Sequence, residues 1–267
     1  MTKLFNLSIQ SDIELNASLP ASEKPDVIIK KSSQHLSDAF HLDIKNIAKF
    51  QIKNGHQIFY MPDDGVTADD LKLFLMGSCM GALLQQRGFI VLHGNAISFD
   101  NQTCTIYVGN QGAGKSTTAA YFYQQGASVL ADDVCAISFN QAGQPVVLPG
   151  IPQLKLWQAS ADLLGLSTKH LKRVRQNLDK FILPVEKHRF VTQPCEIKEI
   201  IEIDQSSQTP QKISGLQKLL QLQYHSYRYY FLSQMGLEPA YLKKLMQLAQ
   251  QVVYTKAPRV LCERADV

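Results

Sequence analysis

The side chains best suited to chemistry lie in one stretch, residues 103–137, which reads TCTIYVGNQGAGKSTTAAYFYQQGASVLADDVCAI. Gly109 to Ser116 fit G-x-x-x-x-G-K-[ST], the phosphate-binding P-loop. Gly109, Gly112 and Gly114 allow a tight turn that aims successive backbone N–H groups at one anion. A helix starting near Lys115 adds the positive end of its dipole. Lys115 brings a mobile charge to the β- and γ-phosphates, and Ser116 offers a hydroxyl to Mg²⁺, which prefers oxygen ligands. The expected nucleotide-binding residues are Gly109, Asn110, Gln111, Gly112, Ala113, Gly114, Lys115, Ser116 and Thr117. Further on, an apolar run ends in two carboxylates, Asp132 and Asp133. They stand where a strand's carboxyl end would meet the phosphates.

These residues need elements to hold them. Residues 105–108 are apolar or β-branched and read as a strand; 116–125 read as a helix ended by Gly126; 128–139 read as one further strand. Residues 89–99 and 103–108 read as an antiparallel pair. A helix starts behind Thr67, a natural N-cap with Asp69 and Asp70 in its first turn, and ends at Gly88. Residues 1–65 read as a small β-rich unit with strands over 5–9, 26–29, 47–52 and 56–61 and a hairpin signal at Asn54-Gly55. Residues 66–267 then form the P-loop domain with a helical C-terminal region. Within it, 153–187 read as largely helical or irregular, and 195–203 as a strand. Residues 213–235 and 239–253 read as helices, with Leu216, Leu219, Leu220, Leu242, Leu245 and Leu248 as core or partner-contact faces.

Three segments together, VLHGNAISF, GNQGAGKSTTA and GASVLADDVCAI, resemble the nucleotide-binding core of the HPr serine kinase family, itself related to phosphoenolpyruvate carboxykinases. His93-Gly94, Gly109 to Ser116 and Ala131-Asp132-Asp133 match in order and approximate spacing. The resemblance implies an α/β fold with the P-loop in a mixed sheet, and an ATP- and Mg²⁺-dependent transfer of the γ-phosphoryl group to a serine. It also implies that one acid of the pair is the base and the other holds metal, ordered as Asp132 for the base and Asp133 beside Ser116 for Mg²⁺. His93 would lie near the phosphates or the acids. The glycine-rich segment that follows the acids in HPr kinase/phosphorylases is replaced here by PGIPQLKLW at 149–157. The chain is more similar to small HPr-kinase-like proteins of bacterial peptide-modification pathways, lasso-peptide pathways among them. A small protein or ribosomal peptide is then the expected acceptor. A non-catalytic ATP-binding accessory protein and a small-molecule phosphotransferase are the alternatives.

The net charge of +4, from 27 basic and 23 acidic residues in 267, is too mild for a nucleic-acid partner. The most apolar helix, 71–84, is short and broken by glycines, so no membrane span is expected. Five cysteines without a C-x-x-C pair, and no signal-like N-terminus, fit a cytoplasmic protein. A homo-oligomer stays open. Phosphoryl transfer calls for a cation beyond Lys115. Lys155, Lys180, Arg189 and Arg228 are the candidates. The basic cluster 169–180 reads as a solvated face or a phosphate lid, and the aromatic run 224–231 as a packed helix or a gripping surface.

Overall fold

The structure, a computed structural model, describes residues 1–15, 22–34 and 38–259. It opens with a hairpin of β1 (Thr2–Leu4) and β2 (Leu7–Ser11). Phe5 and Asn6 form the turn with φ of 52° and 60°. The strand expected over 5–9 is therefore broken, because apolar Phe5 is buried from within a turn. Next come β3 (Val27–Lys31), β4 (Phe40–Ile44), β5 (Ala48–Lys53) and β6 (Gln57–Pro62). Asn54 and Gly55, at φ 53° and 66°, make the expected turn between β5 and β6. The six strands form one sheet in the order β1-β2-β3-β6-β5-β4.

One helical run follows: α1 (Ala68–Phe74), a π-helical turn (Leu75–Cys79) and α2 (Met80–Gln86). Thr67 and Asp70 close a reciprocal capping box at its start. Its buried face, with Leu71, Leu75, Met80, Leu83 and Leu84, packs between the N-terminal sheet and Val91, Val134 and Ala136 of the next sheet. Each such buried side chain contributes about 1.5–3 kcal/mol. The expected boundary at residue 65 falls in the loop before α1, and the two sides share this core.

The central sheet holds β7 (Ile90–Ser98), β8 (Thr103–Val108), β9 (Ser128–Ala131), β10 (Val134–Phe139) and β11 (Pro145–Val147), with α3 (Lys115–Gln124) between β8 and β9. Residues 128–139 are two strands rather than one, parted at the acidic pair. Residues 153–187, expected to be helical or irregular, instead build a small antiparallel sheet. It consists of β12 (Gln153–Trp157), β13 (Lys172–Arg173) and β14 (Lys180–Pro184), with α4 (Gln158–Leu163) in between. Then come β15 (Cys195–Ile203), β16 (Gln211–Lys212), α5 (Gly215–Tyr224), α6 (Tyr230–Gln234), α7 (Glu238–Gln251) and β17 (Tyr254–Ala257). The central sheet runs β11-β10-β7-β8-β15-β17-β16, with β9 also on β7, and β11 bridging back to β15. β7 is antiparallel to β8, as expected, while β15 is parallel to β8. One face packs on α5 and α7, the other on α3 and the small sheet. Leu245 and Leu248 are core, but Leu216 and Leu220 point to solvent, which corrects the core reading for that stripe.

Among the described residues no helix is long and apolar enough to cross a membrane. Cys79, Cys104, Cys135 and Cys195 are buried and unpaired; Cys262 lies outside the described residues.

Candidate functional site

β8 delivers the chain to Gly109, and α3 begins at Lys115, so the loop between them caps the helix's positive end. Gly114 is the N-cap, at φ 103° and ψ 19°, which L side chains rarely adopt. Lys115 Nζ donates to the carbonyls of Gly109 at 2.8 Å and Asn110 at 3.1 Å, so the loop curls round its own lysine. Burial pushes the Lys115 pKa down, and Lys180 adds to this against the pull of Asp133 and Asp132.

The acidic pair owes its geometry to β7, which binds β9 at Ala96–Ala131 and β10 at His93–Val134. Between them the chain makes a three-residue turn, Val134 N–H to Asp132 C=O at 2.8 Å, with Asp133 at φ 64°. That conformation is uncommon for a residue other than glycine. It gives the two carboxylates different surroundings. Asp133 faces a cleft of about 390 Å³. Asp132 turns inward, where Oδ1 accepts from Asn95 Nδ2 at 2.5 Å and Oδ2 from the Lys155 N–H at 3.1 Å. Burial, reinforced by the neighbouring Asp133 charge, pushes Asp132 up to about 7. For Asp133, burial acts in the same sense but is outweighed by Lys155 and Lys180, which hold it well below the usual carboxylate range. Lys155 Nζ lies 2.8 Å from Asp133 Oδ2.

Gln111, Gly112, Gly114, Lys115, Ser116 and Thr117 line the same cleft as Asp133, joined by His93, Lys180, Trp157, Ser160 and Arg259. A second cleft, of about 340 Å³, shares His93 and Gln111 with the first; Gly109, Asn110 and Tyr224 to Arg228 complete it. His93 thus stands at the junction. Burial and the Lys115 charge lower its pKa to about 4, against the opposing pull of Asp133, so the ring is neutral near pH 7.

The structure brings most of the expected residues together and separates some. Ala113 is buried in the core beneath the loop, and Asp132 does not line either cleft. Of the expected cations, Lys180 lines the first cleft and Arg228 the second, while Lys155 is committed to Asp133. Arg189 lies at the opposite end of α3. It donates to the carbonyls of Tyr123 and Ala127, and its guanidinium lies 3.9 Å from the Tyr123 ring centre. The cluster 169–180 is largely a paired surface: Lys172 with Asp69, Arg175 with Asp70, and Arg173 with Asp179. Tyr227 from the aromatic run sits on Gly81, where a Cβ would fall 2.7 Å from its ring.

Asn95, Trp157, Ser160 and Arg259 were not foreseen. Asn95 had a signal, an amide in an otherwise apolar strand; the others reach the cleft through long-range pairing. Among the described residues no group of three or more His, Cys, Asp and Glu could enclose a metal by itself. The Ser116 hydroxyl and the Asp133 carboxylate do offer two hard oxygens on one cleft wall. That suits Mg²⁺, which keeps waters and takes its other ligands from phosphates.

No family model matches the chain, and no curated protein matches it. Among solved structures it has a distant neighbour in the Hpr(Ser) kinase/phosphatase from Coxiella burnetii, at 16% identity over 47% of this chain and 78% of that one, with a TM-score of 0.32.

Proposed function

We propose that the chain is an ATP- and Mg²⁺-dependent phosphotransferase that phosphorylates a serine hydroxyl of a small protein or peptide. One observation carries the reading. Gly112, Gly114, Lys115, Ser116, Asp133 and Lys180 share one cleft, and a second cleft of similar size meets it at His93 and Gln111. Two clefts with a common wall suit a transfer between two substrates.

The amides from Gln111 to Ser116 and the α3 N-terminus hold the phosphates, and Lys115 exchanges its two carbonyl partners for phosphate oxygens. Ser116 and Asp133 hold Mg²⁺, which when bound neutralises charge on the phosphates. Lys180 faces the charge that spreads over the transferring group. His93, neutral and common to both clefts, orients the acceptor hydroxyl and takes its hydrogen bond. The new bond joins the serine oxygen to phosphorus as the bond to the leaving ADP oxygen breaks, and the hydroxyl proton passes to the neutral His93 ring, which later releases it to solvent. A loose transition state asks for orientation and electrostatics more than for a strong base. Asp132, with both oxygens engaged, is better suited to holding the turn that presents Asp133 than to meeting the hydroxyl. Positioning and preorganised charge can each supply several kcal/mol.

The test is incubation with γ-labelled ATP, Mg²⁺ and a set of serine peptides. The reading expects labelled peptide from the wild type and at least a 100-fold loss in Lys115→Ala and Asp133→Asn. Binding of ATP without transfer to any acceptor would instead favour an accessory protein. Transfer unaltered by Lys115→Ala would refute the site.

A further inference from the structure

β17 runs parallel to β15 and ends with Ala257 opposite Ile203. The Ile203 carbonyl lies against Gly109, so the chain beyond β17 emerges beside the P-loop. Arg259 then lays its side chain across Gly114. A Cβ on Gly114 would fall 2.5 Å from Arg259 Cδ, 3.2 Å from Nη1 and 3.5 Å from Nε. The absent side chain at Gly114 therefore serves a left-handed backbone and makes room for Arg259. The guanidinium rests over the N-terminus of α3, the positive end of a ten-residue helix, in the cleft that also holds Lys115 and Lys180. Among the described residues no carboxylate pairs with Arg259. The cleft's one acid, Asp133, is already matched by Lys155. Three cations and a helix N-terminus repel one another until a polyanion enters.

We infer that Arg259 is a direct ligand of the bound polyphosphate, so that the chain just beyond β17 contributes a cation to the nucleotide site. This rests on the nucleotide reading above. A guanidinium presents a planar fork to phosphate oxygens, which an ammonium cannot reproduce.

Trp157 is the chain's single tryptophan and lines the cleft, so its emission reports occupancy. Wild type, Arg259→Ala and Arg259→Lys are titrated with ATP, AMP and inorganic tripolyphosphate. We expect Arg259→Ala to weaken ATP and tripolyphosphate about 10- to 100-fold and AMP much less. Arg259→Lys should fall between, and the melting temperature without ligand should not drop. Unchanged ATP affinity in Arg259→Ala, or an equal loss for AMP and ATP, overturns the inference. If the wild type binds tripolyphosphate through Arg259 but ignores ATP, the inference stands and the nucleotide reading fails. If it binds none of the three, both fail.

Discussion

Lys155→Met keeps the length and apolar stem of the side chain and removes its charge. Lys155 Nζ and Asp133 Oδ2 are 2.8 Å apart, with the two side chains only 12% and 21% exposed. The main-chain N–H of residue 155, which holds Asp132, is untouched by the change. Breaking a buried pair by deleting one partner costs about 3–5 kcal/mol. The residual exposure of Asp133 and the nearby Lys180 charge place this case at the low end, about 3 kcal/mol. That corresponds to a fall in melting temperature of roughly 6–12 °C. The pH dependence follows from the sign of the shift. The folded protein holds Asp133 below its ordinary range, so the pair's stabilisation is present above about pH 4 and lost as pH falls further. In the variant the unpaired carboxylate takes up a proton more readily. The gap between variant and wild type is therefore widest near pH 8 and narrows towards pH 4. Circular-dichroism melts across that range measure it. Adding Asp133→Asn to Lys155→Met should restore at least about 2 kcal/mol, because no lone charge remains. A shift under about 2 °C at pH 8, or a gap independent of pH, would show that the pair does not hold the site.

Gly114→Ala must adopt a left-handed φ of 103° and displace Arg259, so it should lose about 1–2 kcal/mol of stability and at least tenfold in Mg·ATP affinity, measured by melting and by Trp157 emission. Arg189→Ala removes the guanidinium that caps the far end of α3 and stacks on Tyr123; about 1–2 kcal/mol of stability should go while ATP affinity stays within twofold. Asp132 is pushed up to about 7 by burial and by Asp133, so its contribution is complete below about pH 4 and is lost as pH rises through 7. Asp132→Asn should flatten that part of the melting-temperature profile, and an equally steep decline in both proteins would contradict the assignment.

Local chemistry made much of the site readable in advance. The glycines and Lys115 fall between β8 and α3 because the apolar run, the turn and the helix former are contiguous in sequence. Asn54-Gly55 and the Thr67–Asp70 capping box are likewise short-range signals, and both are present. The break at Asp132 and Asp133 was hidden because both flanks are apolar and β-forming; only their separate pairing with β7 reveals two strands. The sheet of β12, β13 and β14 was missed for a different reason. β12 finds its partner far along the chain, Gln153 opposite Pro184, and charged residues between them imitate a solvated helix. That sheet carries Trp157 and Lys180 to the cleft and sets Lys155 on Asp133, so local patterns could single out the two lysines but not the pairing that places them. Arg259 is the extreme case, since only the parallel register of β17 on β15 sets it against Gly114. On α5, leucine spacing marked an apolar stripe but could not say that Leu216 and Leu220 lie on its open side.

The central claim is that the loop amides, Lys115, Ser116 and Asp133 converge on a single triphosphate. Isothermal titration of ATP into the protein with Mg²⁺ present addresses it directly. A one-to-one isotherm that weakens without Mg²⁺ and vanishes in Lys115→Ala is the predicted result. Absence of binding heat in the wild type, or an isotherm that survives Lys115→Ala unchanged, would contradict it.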